Sequence, residues 1–299
     1  MRSVVAILVM LTPAVTTCLA VEVGDIVVPM ESVELKVNNQ VVAPAPAGYA
    51  LQVFKVKDER LWVSNGRPGW IDAEDVMPLA DAADYFSKAI AADATDAELY
   101  CARANVWTAK KEYAKAIQDY NSALKLTPGE AWLFSARALC HQEKGDLKRS
   151  IEDHSEAIRL QPDSAGFNNR GFSYMLLGEF GKSVDDLETA IKLEPTNMFP
   201  VANLGYIRAC CPEAQYRDGV KAVALMRKAC DADNHLDPEN LHILACAYAE
   251  RGDFARAVRW ERKALELNPA NKTNAQTTYA KALELFKQTK PFHEISTLE

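Results

Sequence analysis

Long apolar runs are scarce in this 299-residue chain. One lies within residues 1–20, MRSVVAILVMLTPAVTTCLA, and no later segment approaches the roughly 20 apolar residues that a membrane-spanning helix needs. Excess positive charge is missing too. With 34 Lys and Arg against 41 Asp and Glu, the net charge of −7 leaves no basic footprint for nucleic acid. Familiar catalytic devices are absent: there is no glycine-rich phosphate loop, no GxSxG and no HExxH. The histidines (His141, His154, His235, His242 and His293) are scattered. His242 and Cys246, four apart, could share a helix face, but a metal site needs more ligands than that. No CxxC occurs among the 7 cysteines. The six beyond residue 20 (Cys101, Cys140, Cys210, Cys211, Cys230 and Cys246) read as buried free thiols. These absences predict a protein without cofactor or metal that is not an enzyme.

What is present falls into three textures. Residues 1–20 carry one positive charge, an apolar core from Val4 and small residues before Ala20, the pattern of a secretory signal peptide. Export to the periplasm or the exterior is expected. Attachment of lipid at Cys18 is the less favoured route, because Thr17 precedes it.

From Val21 to Leu79 short runs rich in Val, Ile and aromatics alternate with period two: VGDIVVP, VELKVNN, ALQVFKV, LWVSNG and PGWIDAEDV. Asn38–Asn39, Pro44–Pro46–Gly48 and Asn65–Gly66 separate them as turns, the last a hairpin signal. Five strands in so short a stretch predict a small closed barrel. Val23-Gly24-Asp25, Leu61-Trp62-Val63 and Gly69-Trp70-Ile71 with Asp75-Val76 resemble the bacterial SH3-like barrels. That resemblance implies a peptide or cell-wall polymer as ligand, although the acidic-aromatic motif of proline-binding members is missing. Tyr49, Trp62 and Trp70 form a candidate ligand patch, and filling the small core is the other role open to the tryptophans.

After Pro78 the spacing becomes helical. Residues 81–95 read as a linker helix with Ala82, Phe86, Ala89 and Ile90 on one face. Then EYAKAIQDYNSALKLTP at Glu112–Pro128 returns as DLKRSIEDHSEAIRLQP at Asp146–Pro162. Pro128, Pro162, Pro195 and Pro269 close matching patterns, a fixed period that marks a helical array. Each period holds two helices, the first predicted at Ala97–Ala109 and Tyr113–Leu126. Gly145, Gly178 and Gly252 mark later turns. Small residues recur where backbones approach: Ala104, Ala138, Gly171 and Ala245 on first helices, and Ala116, Ser150, Ser183 and Ala257 on second ones. Ala123, Ala157, Ala190 and Ala264 leave room for the next hairpin to dock. Leu126, Leu160, Leu193 and Leu267 are expected to fill gaps near the helix ends. The acidic clusters Glu152-Asp153 with Glu156, and Asp185-Asp186, read as solvated faces. Asn271-Lys272-Thr273 fits a glycosylation sequon.

These repeats resemble the tetratricopeptide repeat (TPR). The copies span Ala97–Glu130, Ala131–Asp163, Ser164–Asn197, Met198–Asp237 and Pro238–Asn271, the fourth stretched by CCPEAQYRDG. Residues 272–299 hold a capping helix, expected at Ala275–Gln288, and a tail. The resemblance implies a mainly α fold: a right-handed α-α superhelical solenoid at 97–271 behind the SH3-like barrel at 21–79. It also implies a concave groove for a peptide or partner helix. Matching positions are Asn105, Trp132, Leu139, Asn168, Phe172, Phe199, Tyr206 and His242, with Trp132, Phe172 and Tyr206 as anchors or as packing inside the solenoid. Members that grip a chaperone's carboxylate carry lysine where this chain has Cys101, which speaks against that activity.

The expectation is therefore a non-catalytic scaffold or adaptor of the bacterial envelope, binding a protein or peptide partner and no nucleic acid. Two alternatives stand beside it. One is attachment to cell-wall polymer through the barrel. The other is an accessory role beside an envelope enzyme, for which only Cys210–Gly219 leaves room.

Overall fold

The computed structural model describes residues 21–64, 66–268 and 273–294. Expectations placed on residues 1–20, Asn65, Pro269, Asn271 and Lys272 lie outside the described residues. The chain divides into two compact units that meet at Lys111 and Glu112.

Among the described residues of the first unit the alternating pattern forms seven antiparallel strands. They are β1 (Ile26–Pro29), β2 (Val33–Val37), β3 (Gln40–Ala45), β4 (Leu51–Lys57), β5 (Arg60–Ser64), β6 (Gly69–Asp72) and β7 (Val76–Pro78), in the order β3-β2-β6-β5-β4-β1-β7. The count of five falls short in two places. Pro44, read as a turn, lies in β3. Among the described residues that strand pairs with β2 alone, and an edge strand tolerates a residue without an N–H. The last run is split by a 3-10 turn at Ala73–Asp75 into β6 and β7. Asn38 and Asn39 take φ of 50° and 61°, as a two-residue turn between Val37 and Gln40 requires.

All seven strands feed one core of Val27, Leu35, Ala45, Leu51, Val53, Leu61, Val63, Ile71 and Val76. A flat sheet cannot bring its two edges into one cluster, so this sheet is rolled on itself with one face inside. Helices α1 (Leu79–Ala92) and α2 (Ala97–Ala109) pack beside it, Ala82, Ala83, Phe86, Ala102 and Val106 meeting Val28. The β3–β4 connection lies against α2. At Gly48 (φ +72°) an added Cβ would stand 2.0 Å from the Ala102 carbonyl oxygen.

The second unit holds α3 (Tyr113–Leu126), α4 (Ala131–Glu143), α5 (Leu147–Leu160), α6 (Ser164–Leu176), α7 (Phe180–Leu193), α8 (Met198–Cys210), α9 (Gly219–Ala232), α10 (Pro238–Glu250), α11 (Phe254–Leu267) and α12 (Thr273–Lys287). Each helix packs on the next, giving a repeat solenoid. Ala116, Ala138, Ser150, Gly171, Ser183, Ala245 and Ala257 are buried where helices cross, as are Ala123, Ala157, Ala190 and Ala264 at the docking positions. Gly145, Gly178 and Gly252 adopt φ near +80° (79°, 80° and 87°) after the first helices.

Three expectations are corrected here. Leu126, Leu193 and Leu267 are exposed rather than gap-filling and Leu160 is half-buried, because the packed side of these helix ends is that of Ala123, Ala157, Ala190 and Ala264, which are buried. Asp153 and Asp186 are buried rather than solvated, for reasons given below. The capping helix begins at Thr273, two residues earlier than expected. The fourth-copy insertion is tied down: Arg217 Nη1 donates to the carbonyls of Cys211 (2.8 Å) and Pro212 (3.1 Å), and its Nε to Glu250 (3.1 Å).

Candidate functional site

Residues seven apart on a helix lie two turns along one face. Trp132 and Leu139 on α4, Ala165 and Phe172 on α6, and Phe199 and Tyr206 on α8 share that spacing. Side-chain bonds join these faces. Ser173 Oγ reaches Gln142 Oε1 at 3.1 Å, and Asn203 Nδ2 donates to Asn168 Oδ1 at 3.0 Å. The result is a continuous surface from α4 to α8. Trp132, Leu139 and Phe199 are 52%, 43% and 76% exposed on it. Phe172 and Tyr206 are half-buried, their inner edges packed on the cluster of Met175, Phe180, Leu204 and Ile207. Asn168 is half-buried and engaged by Asn203. Such a face offers large apolar groups beside amides, suited to apolar side chains and the main chain of an extended peptide.

The other two groove candidates are placed differently. Asn105, in the first unit, donates through Nδ2 to the Ala47 carbonyl at 3.1 Å. His242, on α10, is buried. Its Nδ1 lies 2.8 Å from Glu261 Oε1 on α11, its ring stacks on Tyr279 at 4.5 Å, and Phe292 meets it edge-on at 5.7 Å. Burial opposes charge on His242, yet Cys246 and Glu261 overcome it and hold its pKa well above 6.5. Burial likewise raises Glu261, against the pull of His242. Both shifts keep one proton in the pair, between the imidazole and the carboxylate. Cys246 Sγ stands 3.7 Å from Nε2. The order thiol, imidazole, carboxylate is that of an activated nucleophile. Here burial pushes the thiol well above 9.0, and Cys246 is 1% exposed, so no thiolate is presented to solvent. The six described cysteines are free and buried. Among the described residues no group of three or more His, Cys, Asp or Glu is placed to hold a metal, and no helix is long and apolar enough to cross a membrane.

On the β domain, Trp62 and Trp70 lie opposite each other on β5 and β6, ring centroids 5.2 Å apart and edge-on. They face away from the core that Leu61, Val63 and Ile71 enter, so neither fills it. Arg60 lies over Trp70 at 5.5 Å. Tyr49, exposed, belongs to the β3–β4 connection instead.

Two features escaped sequence reading. A cavity of about 400 Å³ among α9, α10 and α11 is lined by Arg227, Asp231, His235, Leu244, Tyr248, Arg256, Arg259 and Trp260, three guanidinium groups beside one carboxylate that lies 3.6 Å from His235 Nε2. Arg137 pairs with Asp153, and Arg170 with Asp186, in buried forks that span each hairpin. Their 33-residue spacing was visible, but acidic neighbours concealed which carboxylate turns inward.

Two models of the tetratricopeptide repeat match the chain, one at residues 97–130 and the other at 166–197 and 238–271. Those are the first, third and fifth copies. The second and fourth are α4–α5 and α8–α9. No curated protein matches the chain. Among solved structures, that of YrrB, described as a TPR protein with an unusual peptide-binding site, is similar with a TM-score of 0.50 and 20% identity, over 67% of this chain and 99% of that one. The Cut9–Hcn1 structure of the APC/C gives 0.57 and 17%, over 70% and 39%, and yeast Tom70 gives 0.53 and 19%, over 70% and 43%. This chain thus spans less than half of each of the latter two chains. At these identities the likeness concerns the fold.

Proposed function

We propose that this chain, which carries tetratricopeptide repeats behind an N-terminal β domain, is a non-catalytic scaffold that holds an extended partner peptide against the first helices α4, α6 and α8. The observation carrying this reading is the exposure of Trp132 and Phe199 at equivalent positions, with Leu139 two turns along from Trp132, on a face whose helices are cross-bonded. Exposed large apolar groups aligned at one surface mark an interaction site. A peptide-binding TPR neighbour of the same fold supports the same use. The apolar pattern of residues 1–20 supports export, and with it a place in the bacterial envelope. The test is selection of binding peptides from a random displayed library on the intact chain. Trp132→Ala and Phe199→Ala are each expected to weaken the selected peptides at least tenfold. Full affinity in both variants would overturn the reading.

The Trp62–Trp70 pair favours a second reading, in which an SH3-like β domain attaches to cell-wall polymer by stacking sugar rings on these half-buried indoles, which lie outside the core. Pelleting with purified cell wall that survives Trp62→Ala together with Trp70→Ala would remove it.

A further inference from the structure

Beyond α12, residues Pro291–Glu294 cross three successive first-helix positions. Phe292 is 1% exposed, against His242 of α10 and beneath Lys281 Nζ of α12, which lies 5.9 Å from its ring centroid. His293 Nε2 meets Glu250 Oε2 of α10 at 2.5 Å. Tyr206 Oη of α8 donates to the Glu294 carbonyl at 3.3 Å, and the Glu294 carboxylate pairs with Lys281. Tyr206 is one of the residues assigned above to the peptide face. The segment therefore lies where a ligand would lie, across the helices rather than along them.

Its attachment differs from that of the helices. Among the largest fully buried side chains of the described residues, Phe292 is the one supplied from outside a helix or strand. No backbone–backbone hydrogen bond ties Pro291–Glu294 among the described residues. One buried ring and a few rim contacts hold it, and such a segment opens locally at far lower cost than a helix does. Removing it would uncover His242 and its stacked partner Tyr279.

We propose that this end of the face is a seat for an extended peptide carrying an aromatic side chain followed two residues later by an acid, and that the chain's own Phe292-His293-Glu294 occupies it as an internal competitor. The proposal rests on the peptide-face reading and adds the chemistry of the ligand: an aromatic ring for the His242 and Tyr279 pocket, a carbonyl for Tyr206 and a carboxylate for Lys281. A partner must displace the segment, so its observed affinity is reduced by the fraction of chains in which the seat is closed.

The probe is a fluorescent peptide, Thr-Lys-Pro-Phe-His-Glu, copying residues 289–294, titrated by anisotropy into the full chain. Phe292→Ala, which vacates the pocket, is expected to bind it at least tenfold more tightly than the unaltered chain. The same peptide with alanine for phenylalanine should lose that gain. If Phe292→Ala lowers the far-ultraviolet helical signal, Glu294→Lys takes its place, since it loosens the segment without opening a cavity. Equal affinity, or none, in a folded variant would overturn the proposal and leave Phe292 a core residue. Peptides selected on the Trp132 and Phe199 surface form a separate probe, so failure of this proposal is told apart from failure of the peptide-face reading on which it rests.

Discussion

Arg170 grips Asp186 through two parallel bonds, Nε to Oδ2 and Nη2 to Oδ1, both 2.8 Å long, across the α6–α7 hairpin. The pair is largely hidden, and Arg170 Nη1 also reaches Ser155 Oγ of the preceding hairpin at 3.1 Å. Arg137 does the same one copy earlier, with Asp153 and Asn121. The fork thus joins the two helices of one hairpin and ties them to the hairpin before. In the fifth copy Leu244 and Trp260 stand in the corresponding positions, and the buried polar pair moves to His242 and Glu261.

Removing one member of such a pair leaves a buried charge without a partner. Arg170→Ala is expected to cost about 3 kcal/mol, while Arg170→Met with Asp186→Leu should cost much less, because both desolvated charges disappear together. Urea unfolding of the three chains measures the difference. Equal losses in the single and double variants would contradict the assignment.

His154 is wholly buried, and neither ring nitrogen has a hydrogen-bond partner among the described residues. Burial lowers its pKa from 6.5 to about 4, with Arg170 assisting and Asp153 opposing. The unfolded chain then takes up the proton first as pH falls. Its contribution is complete above pH 6.5, declines between 6.5 and 4, and amounts to about 3 kcal/mol when fully lost. Tyr120 and Leu187 fill the same position in the adjoining copies, both buried. His154→Leu should therefore raise the melting temperature at pH 5 and flatten its dependence between pH 6.5 and 4. A pH profile parallel to that of the unaltered chain would refute this.

Gly178 takes φ of +80°, and an added Cβ there would meet nothing within 4 Å. The cost of Gly178→Ala is then one of backbone conformation alone, about 1 kcal/mol. Lys111 occupies the equivalent place in the first copy at φ +59°. Lys111→Gly should shift stability the other way, by several tenths of a kcal/mol, as read from the urea midpoint at constant slope.

Ala157 is 3% exposed at a docking position. Leucine there adds three carbons to a filled space and is expected to cost about 1–3 kcal/mol. An unchanged thermal midpoint would count against the register of the stack.

Much of the helical architecture was legible because stacking imposes a period. Ala97–Ala109 and Tyr113–Leu126 match their predicted bounds, since small residues, glycine and proline recur wherever backbones meet, turn or stop. Strands were less legible: β3 contains Pro44, admissible only because β3 is an edge, and edge position is a property of the assembled sheet. The candidate face was readable as a set of equivalent positions. Which of its members face solvent was not, as Trp132 and His242 demonstrate.

The sequence by itself determined the repeat, its register and the places where one hairpin accepts the next, because these follow from residue size and helix geometry acting over a few turns. Tertiary structure alone decided that Asp153 and Asp186 turn inward, that Asn105 meets Ala47, and that Phe292 closes over His242. Each of those contacts joins residues from separate elements. No local rule encodes such a meeting, because its energy arises only when the assembled elements exclude water from between them.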